Sequence, residues 1–291
     1  MIDAPDLIVQ AHRMAGDQFR LPWESFAEFF HSRVHDPALA DRLFLSYYDD
    51  DRHVHRTYRY AEFGEAVLRM AAFMHDQVRL KRGDRIATVL FNHDQTVLVY
   101  FAAWTLGIAV VPINVEETTE KKRYILEHAE VVAVCCWKDC LDEIRSLRPA
   151  VPSLREILAV GDRQIEERFY APVAQPPTSE ADNEEEYPHG ILQDVALIVY
   201  TSGTTGPPKG VILTAENLLM DADAIADWHG FGGSDRLMCV LPIHHVNGAV
   251  VTVVTPFYFK GGTVLNRRFK TGTFWRRVQE EQVTCVSVVP T

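Results

Sequence analysis

Apolar positions along the chain form short continuous runs, separated by stretches with helical periodicity. The runs predict buried strands, and the periodic stretches predict amphipathic helices. Predicted strands cover residues 43–48, 54–58, 86–90, 109–112, 131–137, 195–199, 211–213, 235–242, 263–265 and 284–289. A first predicted helix begins near residue 23, and further helices cover 60–77, 94–106, 119–128, 214–228, 249–259 and 271–282. Strands that alternate with helices indicate βαβ units and an α/β fold with mainly parallel sheets.

One turn and one long connection have a distinctive composition. Asp49–Asp51 lacks the spaced ligands and the glycine of a calcium loop, so we predict a solvated turn. Residues 161–194 contain several prolines and the run Glu184–Glu186, which predicts a mobile, acidic surface connection. Residues 1–22 are assigned to an N-terminal tail, and residues 23–291 to one large domain that contains this connection.

Residues 95–115 carry no formal charge and are long enough for a membrane span, which needs about 20 apolar residues. Gly107 and Pro112 divide this stretch into a helical half and a strand-like half. A buried helix followed by a buried strand is therefore the preferred interpretation, and we predict no membrane span. Met1–Asp6 lacks the features of a signal peptide, which favours a cytoplasmic location.

The charge balance limits the possible partners. The chain has 29 Lys and Arg residues against 40 Asp and Glu residues, a formal net charge of −11. Such an acidic surface argues against a general binder of nucleic acid or of anionic membranes. Any phosphate site must be a local exception to this field. The five cysteines show no CxxC pair and no zinc-site spacing, so we predict buried thiols and no metal ligands.

The segment Tyr200–Gly210, Tyr-Thr-Ser-Gly-Thr-Thr-Gly-Pro-Pro-Lys-Gly, has the composition of a polyphosphate-binding loop. Small residues let backbone N–H groups approach an anion, the hydroxyls add donors, and Lys209 adds a positive charge. The nucleoside-triphosphatase loop is excluded, since Lys209 follows a proline and a strand pattern comes next. The dinucleotide fingerprint is excluded because Gly203 and Gly206 do not have its spacing.

All eleven positions of this segment resemble the signature of the AMP-forming acyl-CoA synthetases. These adenylate-forming ligases are related to luciferase and to the adenylation domains of peptide synthetases. Leu241–Gly248, Leu-Pro-Ile-His-His-Val-Asn-Gly, resembles the second motif of the family. Weaker similarity occurs at Gly83–Arg85, Asn92, Gly107–Asn114, Arg267–Phe269 and Val289–Thr291. The resemblance implies layered αβα subdomains with mainly parallel sheets, the large AMP-binding domain of an adenylate-forming enzyme.

The resemblance also implies a reaction and its participants. ATP, with Mg²⁺, activates a small-molecule carboxylic acid to an acyl-adenylate, and a thiol, usually that of coenzyme A, then takes the acyl group. Lys209 and His245 are the implied catalytic residues. The implied ATP-binding residues are Thr201, Ser202, Gly203, Thr204, Thr205, Gly206 and Lys209. His245, Asn247 and Gly248 are implied to bind the acid, and the apolar stretch after Gly248 favours a carbon-rich acid.

In this family, an adenine-stacking motif, a ribose-binding Asp and a mobile C-terminal domain with the adenylation lysine lie further along the chain. None has a counterpart before Thr291, so the sequence is interpreted as an incomplete large domain without the small C-terminal domain. We therefore expect little or no ligase activity from this chain alone. Two functions stay open. One is carboxylate–CoA ligase chemistry, with a complementary C-terminal chain as partner, and the other is a non-catalytic remnant that binds a nucleotide or a partner.

Overall fold

The structure is a computed structural model that describes residues 21–161, 190–201 and 207–289. The predicted tail up to residue 20, most of the predicted connection at 161–194, and residues 202–206 of the glycine-rich segment lie outside these ranges. Within the described ranges, alternating strands and helices build two sheets. The predicted α/β class with mainly parallel sheets is confirmed.

The larger sheet contains the glycine-rich segment at one edge. Its strands are β3 (Arg85–Val89), β4 (Ala109–Ile113), β5 (Ala133–Trp137), β6 (Glu156–Val160), β7 (Val195–Thr201) and β8 (Lys209–Thr214). They lie in the order β6-β5-β3-β4-β7-β8. All neighbouring strands are parallel except β7 and β8, which form an antiparallel hairpin. The glycine-rich segment thus begins in the last residues of β7 and ends in the first residues of β8.

The second sheet has the same plan. Its strands are β1 (Leu43–Asp49), β2 (Val54–Arg59), β9 (Arg236–Cys239), β10 (Gly262–Asn266) and β11 (Cys285–Ser287). They lie in the order β11-β9-β10-β1-β2, with β1 and β2 antiparallel and the other pairs parallel. Strands β1 and β2 correspond to the strands predicted at 43–48 and 54–58, and they form a hairpin. Each sheet is therefore a parallel array with one antiparallel strand at an edge.

Helices connect these strands. They are α1 (Phe26–Val34), α2 (Tyr60–Asp76), α3 (Asp94–Thr105), α4 (Thr119–His128), α5 (Leu141–Leu147), α6 (Ala215–His229), α7 (Thr255–Tyr258) and α8 (Thr271–Glu280). Two single-turn 3₁₀ segments, Lys138–Cys140 and Arg148–Ala150, flank α5, and a π-helix, Asn247–Val254, leads into α7. Thr214, the first residue of the helix predicted at 214–228, is the N-cap of α6, because its hydroxyl accepts a hydrogen bond from the backbone N–H of Asn217.

Helix α3 lies in the core, and every one of its residues is buried. The ring of Phe101 on this helix lies 5.1 Å from Phe63 of α2 and 5.0 Å from Phe257 of α7, between ring centroids. Phe44 of β1 also contacts Phe63 and Phe257. These rings join the two sheets through α3, so the predicted buried helix at 94–106 is confirmed. Among the described residues, every helix is too short or too polar to cross a membrane.

Strand β8 differs from its prediction. The apolar run at 211–213 predicts a buried strand, yet the side chains of Val211 and Ile212 are 45% and 60% exposed. The reason is position, since β8 is an edge strand with one neighbour, β7. The apolar composition therefore predicts the strand correctly and its burial incorrectly.

The acidic turn after β1 also differs from its prediction, because its carboxylates are paired and not simply solvated. Asp49 is buried and accepts a hydrogen bond from Arg267 at 2.8 Å. Asp50 accepts one from Arg277 at 2.6 Å, and Asp51 pairs with Lys270. The basic partners all follow β10. Parallel pairing of β1 with β10 brings this segment beside the turn.

Candidate functional site

The loop end of the β7–β8 hairpin carries the first and the last of the predicted ATP-binding residues. The register of the hairpin pairs Thr201 with Lys209, and both side chains are exposed. Within the described part of the chain, the ammonium group of Lys209 has no hydrogen bond or ion pair. The other predicted members of the loop lie outside the described residues: Ser202, Gly203, Thr204, Thr205 and Gly206. The structure therefore places an exposed positive charge at the base of this loop.

Helix α4 contacts the β7–β8 hairpin at Tyr200, one residue before Thr201. A hydrogen bond of 2.7 Å joins the hydroxyl of Tyr200 to Nδ1 of His128, and Tyr124 packs beside both rings. Burial, and secondly Tyr124, raise the pKa of Tyr200 to about 12, so its hydroxyl stays protonated at neutral pH. A Cβ atom at Gly210 would lie 3.2 Å from Cζ of Tyr200, so glycine lets this ring cross the neighbouring strand. The sequence does not indicate His128 as part of the site, since no motif links it to the loop.

The histidine motif follows β9 and is held by a residue between β3 and α3. The side-chain Nδ2 of Asn92 donates hydrogen bonds to the carbonyls of Leu241, at 2.9 Å, and Asn266, at 3.0 Å. Its Oδ1 accepts a hydrogen bond from the backbone N–H of Ile243 at 2.8 Å. The sequence includes Asn92 only as a weak part of the family resemblance. In the structure it fixes the main chain that precedes the histidine pair.

His244 and His245 lie side by side, with ring centroids 4.4 Å apart. The side chain of His244 is half-buried, whereas that of His245 is exposed. Burial, and secondly His245, lower the pKa of His244 to about 4, so His244 is neutral at pH 7. The backbone N–H of His245 donates to the carbonyl of Pro242 at 3.1 Å, so the pair lies on a tight turn.

Asn247 and Gly248 have clear structural functions at the start of the π-helix. Oδ1 of Asn247 accepts a hydrogen bond from the hydroxyl of Ser287 on β11 at 2.8 Å. A Cβ atom at Gly248 would lie 2.4 Å from the carbonyl oxygen of Pro242, which leaves space only for glycine. The predicted contact of both residues with the acid stays a prediction. The apolar side chains that follow are buried in the core and do not support a carbon-rich acid: Val250, Val253 and Val254.

The segments described above all follow the carboxyl ends of parallel strands. The glycine-rich loop follows β7, the histidine pair follows β9, and Asn92 follows β3. Ligands of open α/β sheets bind outside these ends. No group of three or more His, Cys, Asp or Glu residues that could hold a metal ion occurs among the described residues. Fold and site together define an α/β protein whose glycine-rich segment and histidine pair follow the carboxyl ends of strands in two mainly parallel sheets.

The chain belongs to the AMP-binding enzyme family, which matches residues 33–291. It is 33% identical to the sulfoacetate–CoA ligase of Cupriavidus necator over 213 residues, which are 73% of this chain and 40% of that protein. It is 32% identical, with the same coverage, to the 2-succinylbenzoate–CoA ligase of Bacillus licheniformis. A crotonobetaine/carnitine–CoA ligase of Salmonella paratyphi A is 25% identical, with 95% of this chain and 52% of that protein covered. The chain thus spans about half the length of these curated relatives or less.

Solved structures share the fold. ATP-bound MatB from Rhodopseudomonas palustris has a TM-score of 0.74 at 23% identity, and the match covers 89% of this chain and 48% of MatB. The inhibitor-bound N-terminal domain of FACL13 from Mycobacterium tuberculosis has a TM-score of 0.74 at 22% identity, with coverage of 92% and 63%. Similarity at this level of identity shows the fold alone. The predicted AMP-binding large-domain fold is confirmed.

Proposed function

We propose that the chain supplies the triphosphate loop and part of the acid site of an AMP-forming carboxylate–CoA ligase. Membership of the AMP-binding family supports this class of reaction, and the three named relatives are CoA ligases. The observation that carries the proposal is the exposed end of the β7–β8 hairpin. There, the hydroxyl-bearing Thr201 pairs in register with Lys209, which is unpaired within the described residues. An exposed cation beside hydroxyls matches a polyphosphate.

The proposed reaction has two steps. A carboxylate oxygen of the acid attacks the α-phosphorus of ATP, the bond from this phosphorus to the bridging oxygen breaks, and pyrophosphate leaves. The thiolate of coenzyme A then attacks the acyl carbon, and AMP leaves with the electrons of the acyl–oxygen bond. Two anions meet in the first step, so catalysis depends on positioning and charge neutralisation.

The residues of the hairpin would neutralise the leaving group. We assign Lys209 to the oxygens that depart as pyrophosphate, with Thr201 and residues 202–206 as hydroxyl and N–H donors. Mg²⁺ would supply further charge neutralisation when bound with the nucleotide. Among the described residues, no group of three or more His, Cys, Asp or Glu side chains could hold the metal without the nucleotide.

We assign the acid to the side of the site that carries His245. Its exposed imidazole lies on a turn fixed by Asn92, next to the neutral His244. Such a fixed imidazole can orient a carboxylate without transferring a proton. The named relatives act on sulfoacetate, 2-succinylbenzoate and crotonobetaine or carnitine, so family membership does not select one acid.

Calorimetric titration with MgATP and a pyrophosphate-exchange assay test this proposal. Acid-dependent exchange is measured over a panel that includes the three acids named above. It is run on the 291-residue chain alone and after addition of the C-terminal half of a relative. We expect MgATP binding by the chain, exchange near background alone, and higher exchange with the added half. Ordinary turnover by the chain alone would disprove the expected dependence on a further half, and absence of MgATP binding would disprove the site.

The second candidate function is non-catalytic binding of a nucleotide or a partner. The exposed Lys209 beside Thr201 supports it, because a cation beside hydroxyls can bind a nucleotide whether or not a reaction follows. This function predicts MgATP binding without exchange, for every acid and also after addition of the C-terminal half. The same pair of measurements therefore separates the two functions.

A further inference from the structure

Helix α3 makes hydrogen bonds to the main chain on both sides of the proposed site. On the triphosphate side, Nε1 of Trp104 donates to the carbonyl of Ala196 in β7 at 2.8 Å. On the acid side, the hydroxyl of Tyr100 donates to the carbonyl of Ile243 at 3.2 Å. Tyr100 and Trp104 are one turn apart on the same helix. Helix α3 is therefore hydrogen-bonded both to β7, which precedes the glycine-rich loop, and to Ile243, which precedes the histidine pair.

Both backbone polar groups of Ile243, the N–H and the carbonyl, form hydrogen bonds to side chains. Its N–H donates to Asn92, just before α3, and its carbonyl accepts from Tyr100. Ile243, Asn92 and Tyr100 are 2%, 5% and 3% exposed, so water does not replace a hydrogen bond that is lost at this place. The next residue along the chain is His244. The position of the histidine turn is thus set at Ile243, which lies within the turn directly before the histidine pair.

We propose that Asn92 and Tyr100 are positioning residues that fix Ile243 and thereby the place of the His244–His245 turn relative to β7. This inference rests on the proposed function of His245 and deepens it. Neither residue is assigned a contact with substrate, since both act through the main chain of Ile243. Together with Trp104, they make α3 the element that determines the spacing between the acid and triphosphate sides.

The position of the turn has a readout that does not depend on catalysis. Burial holds the pKa of His244 at about 4, below the ordinary value of 6.5, so a turn that shifts towards solvent must raise it. In Tyr100→Phe and Asn92→Ala, histidine NMR titration should show the pKa of His244 higher by about one unit. The second readout uses this chain combined with the C-terminal half of a relative, as in the exchange assay above. There, Tyr100→Phe should raise the KM for the acid about fivefold and leave the KM for ATP within about twofold.

Tyr47→Phe is the matched control. Tyr47 is also a fully buried tyrosine, but its hydroxyl has no hydrogen-bond partner among the described residues. We expect this variant to leave the His244 titration and both KM values unchanged. Tyr100→Phe decides the question if Asn92→Ala does not fold. An unchanged His244 pKa in Tyr100→Phe, or an equal shift in Tyr47→Phe, would disprove the positioning function. A shifted pKa without acid-dependent exchange would sink only the proposed ligase reaction.

Discussion

At the scale of single residues, Lys209 and Asn92 illustrate two different relations between burial and function. Lys209 is exposed and unpaired within the described residues, so little of the folded structure depends on it. Asn92 is buried, and its amide makes hydrogen bonds to Leu241, Ile243 and Asn266. Substitution of Lys209 should therefore affect binding and spare the fold, whereas substitution of Asn92 should affect both.

Lys209→Ala should weaken MgATP binding about tenfold or more, because it removes the positive charge at the base of the loop. The melting temperature should stay nearly unchanged, since exposed substitutions usually change stability by less than about 0.5 kcal/mol. Calorimetric titration and thermal unfolding measure the two effects. Lys81→Ala is the control, since Lys81 is also exposed but precedes the amino end of β3. Equal loss of binding in both variants would contradict an assignment of the triphosphate to the hairpin.

At the scale of elements, the π-helix Asn247–Val254 joins the histidine turn to the core. The sequence predicts a helix from residue 249, and the structure begins it two residues earlier with wider turns. The hydroxyl of Thr255 donates to the carbonyl of Val250, five residues earlier, at 3.0 Å. Gly248 lets this helix start against Pro242, where any Cβ would overlap the carbonyl oxygen. Steric fit, and not propensity, therefore selects glycine here.

Gly248→Ala should lower the free energy of unfolding by about 3 kcal/mol or more, because backbone atoms of Pro242 and Ile243 must move. Urea denaturation followed by circular dichroism measures this loss. Gly272→Ala in α8 is the matched control, since a Cβ there meets no atom within 4 Å. That variant should be neutral or more stable by up to about 1 kcal/mol. A loss below about 1 kcal/mol in Gly248→Ala would show that the turn can relax around a methyl group.

At the scale of the whole molecule, a set of ion pairs joins the β1–β2 turn to the segment after β10. Arg277 is 5% exposed, donates to Asp50, and lies over the ring of Tyr48 at 3.9 Å from its centroid. Burial opposes a lower pKa for Asp50, but hydrogen bonds from Arg277 and Thr273 lower it overall. The hydrogen bond from Lys270 is the main cause of the lowered pKa of Asp51. These carboxylates stabilise the fold in their ionised form.

Acid should therefore destabilise the protein through this turn. A carboxylate whose pKa is lowered on folding stabilises the fold at pH values above its unfolded pKa, here 3.8. The stabilisation is lost as the pH falls through the lowered folded pKa. The free energy of unfolding should thus be nearly constant from about pH 7 to pH 5 and should fall below about pH 4. Urea denaturation at a series of pH values measures this profile.

Substitutions of two adjacent arginines test whether the pair of Asp50 with Arg277 causes the loss of stability in acid. Arg277→Gln should cost about 2–4 kcal/mol at pH 7, because it leaves the carboxylate of Asp50 without its buried partner. Arg276→Gln is the control and should cost less than about 0.5 kcal/mol, since Arg276 is exposed and pairs only with Glu280 among the described residues. The difference between Arg277→Gln and the wild type should shrink as Asp50 becomes protonated. A difference that is constant from pH 7 to pH 3 would assign the loss to packing.

The sequence by itself determined the order of most elements, the α/β class and the AMP-binding family. Helical and strand periodicities and the eleven-residue segment Tyr200–Gly210 depend on neighbours in the chain, so they can be recognised without a fold. The same local patterns place Lys209 just before the strand predicted at 211–213, and His245 just after the strand predicted at 235–242. They also locate the start of α6 at Thr214.

Only the tertiary structure decided which distant residues support these segments. His128 and Tyr200 are 72 positions apart, Tyr100 and Ile243 are 143 apart, and Asp50 and Arg277 are 227 apart. Sheet order likewise makes β8 an exposed edge, although its composition is apolar. Hydrogen bonds, ion pairs and burial depend on distance in space, and strand pairing sets that distance independently of separation along the chain. For this reason the motifs could be found from the sequence, whereas the residues that hold them could not.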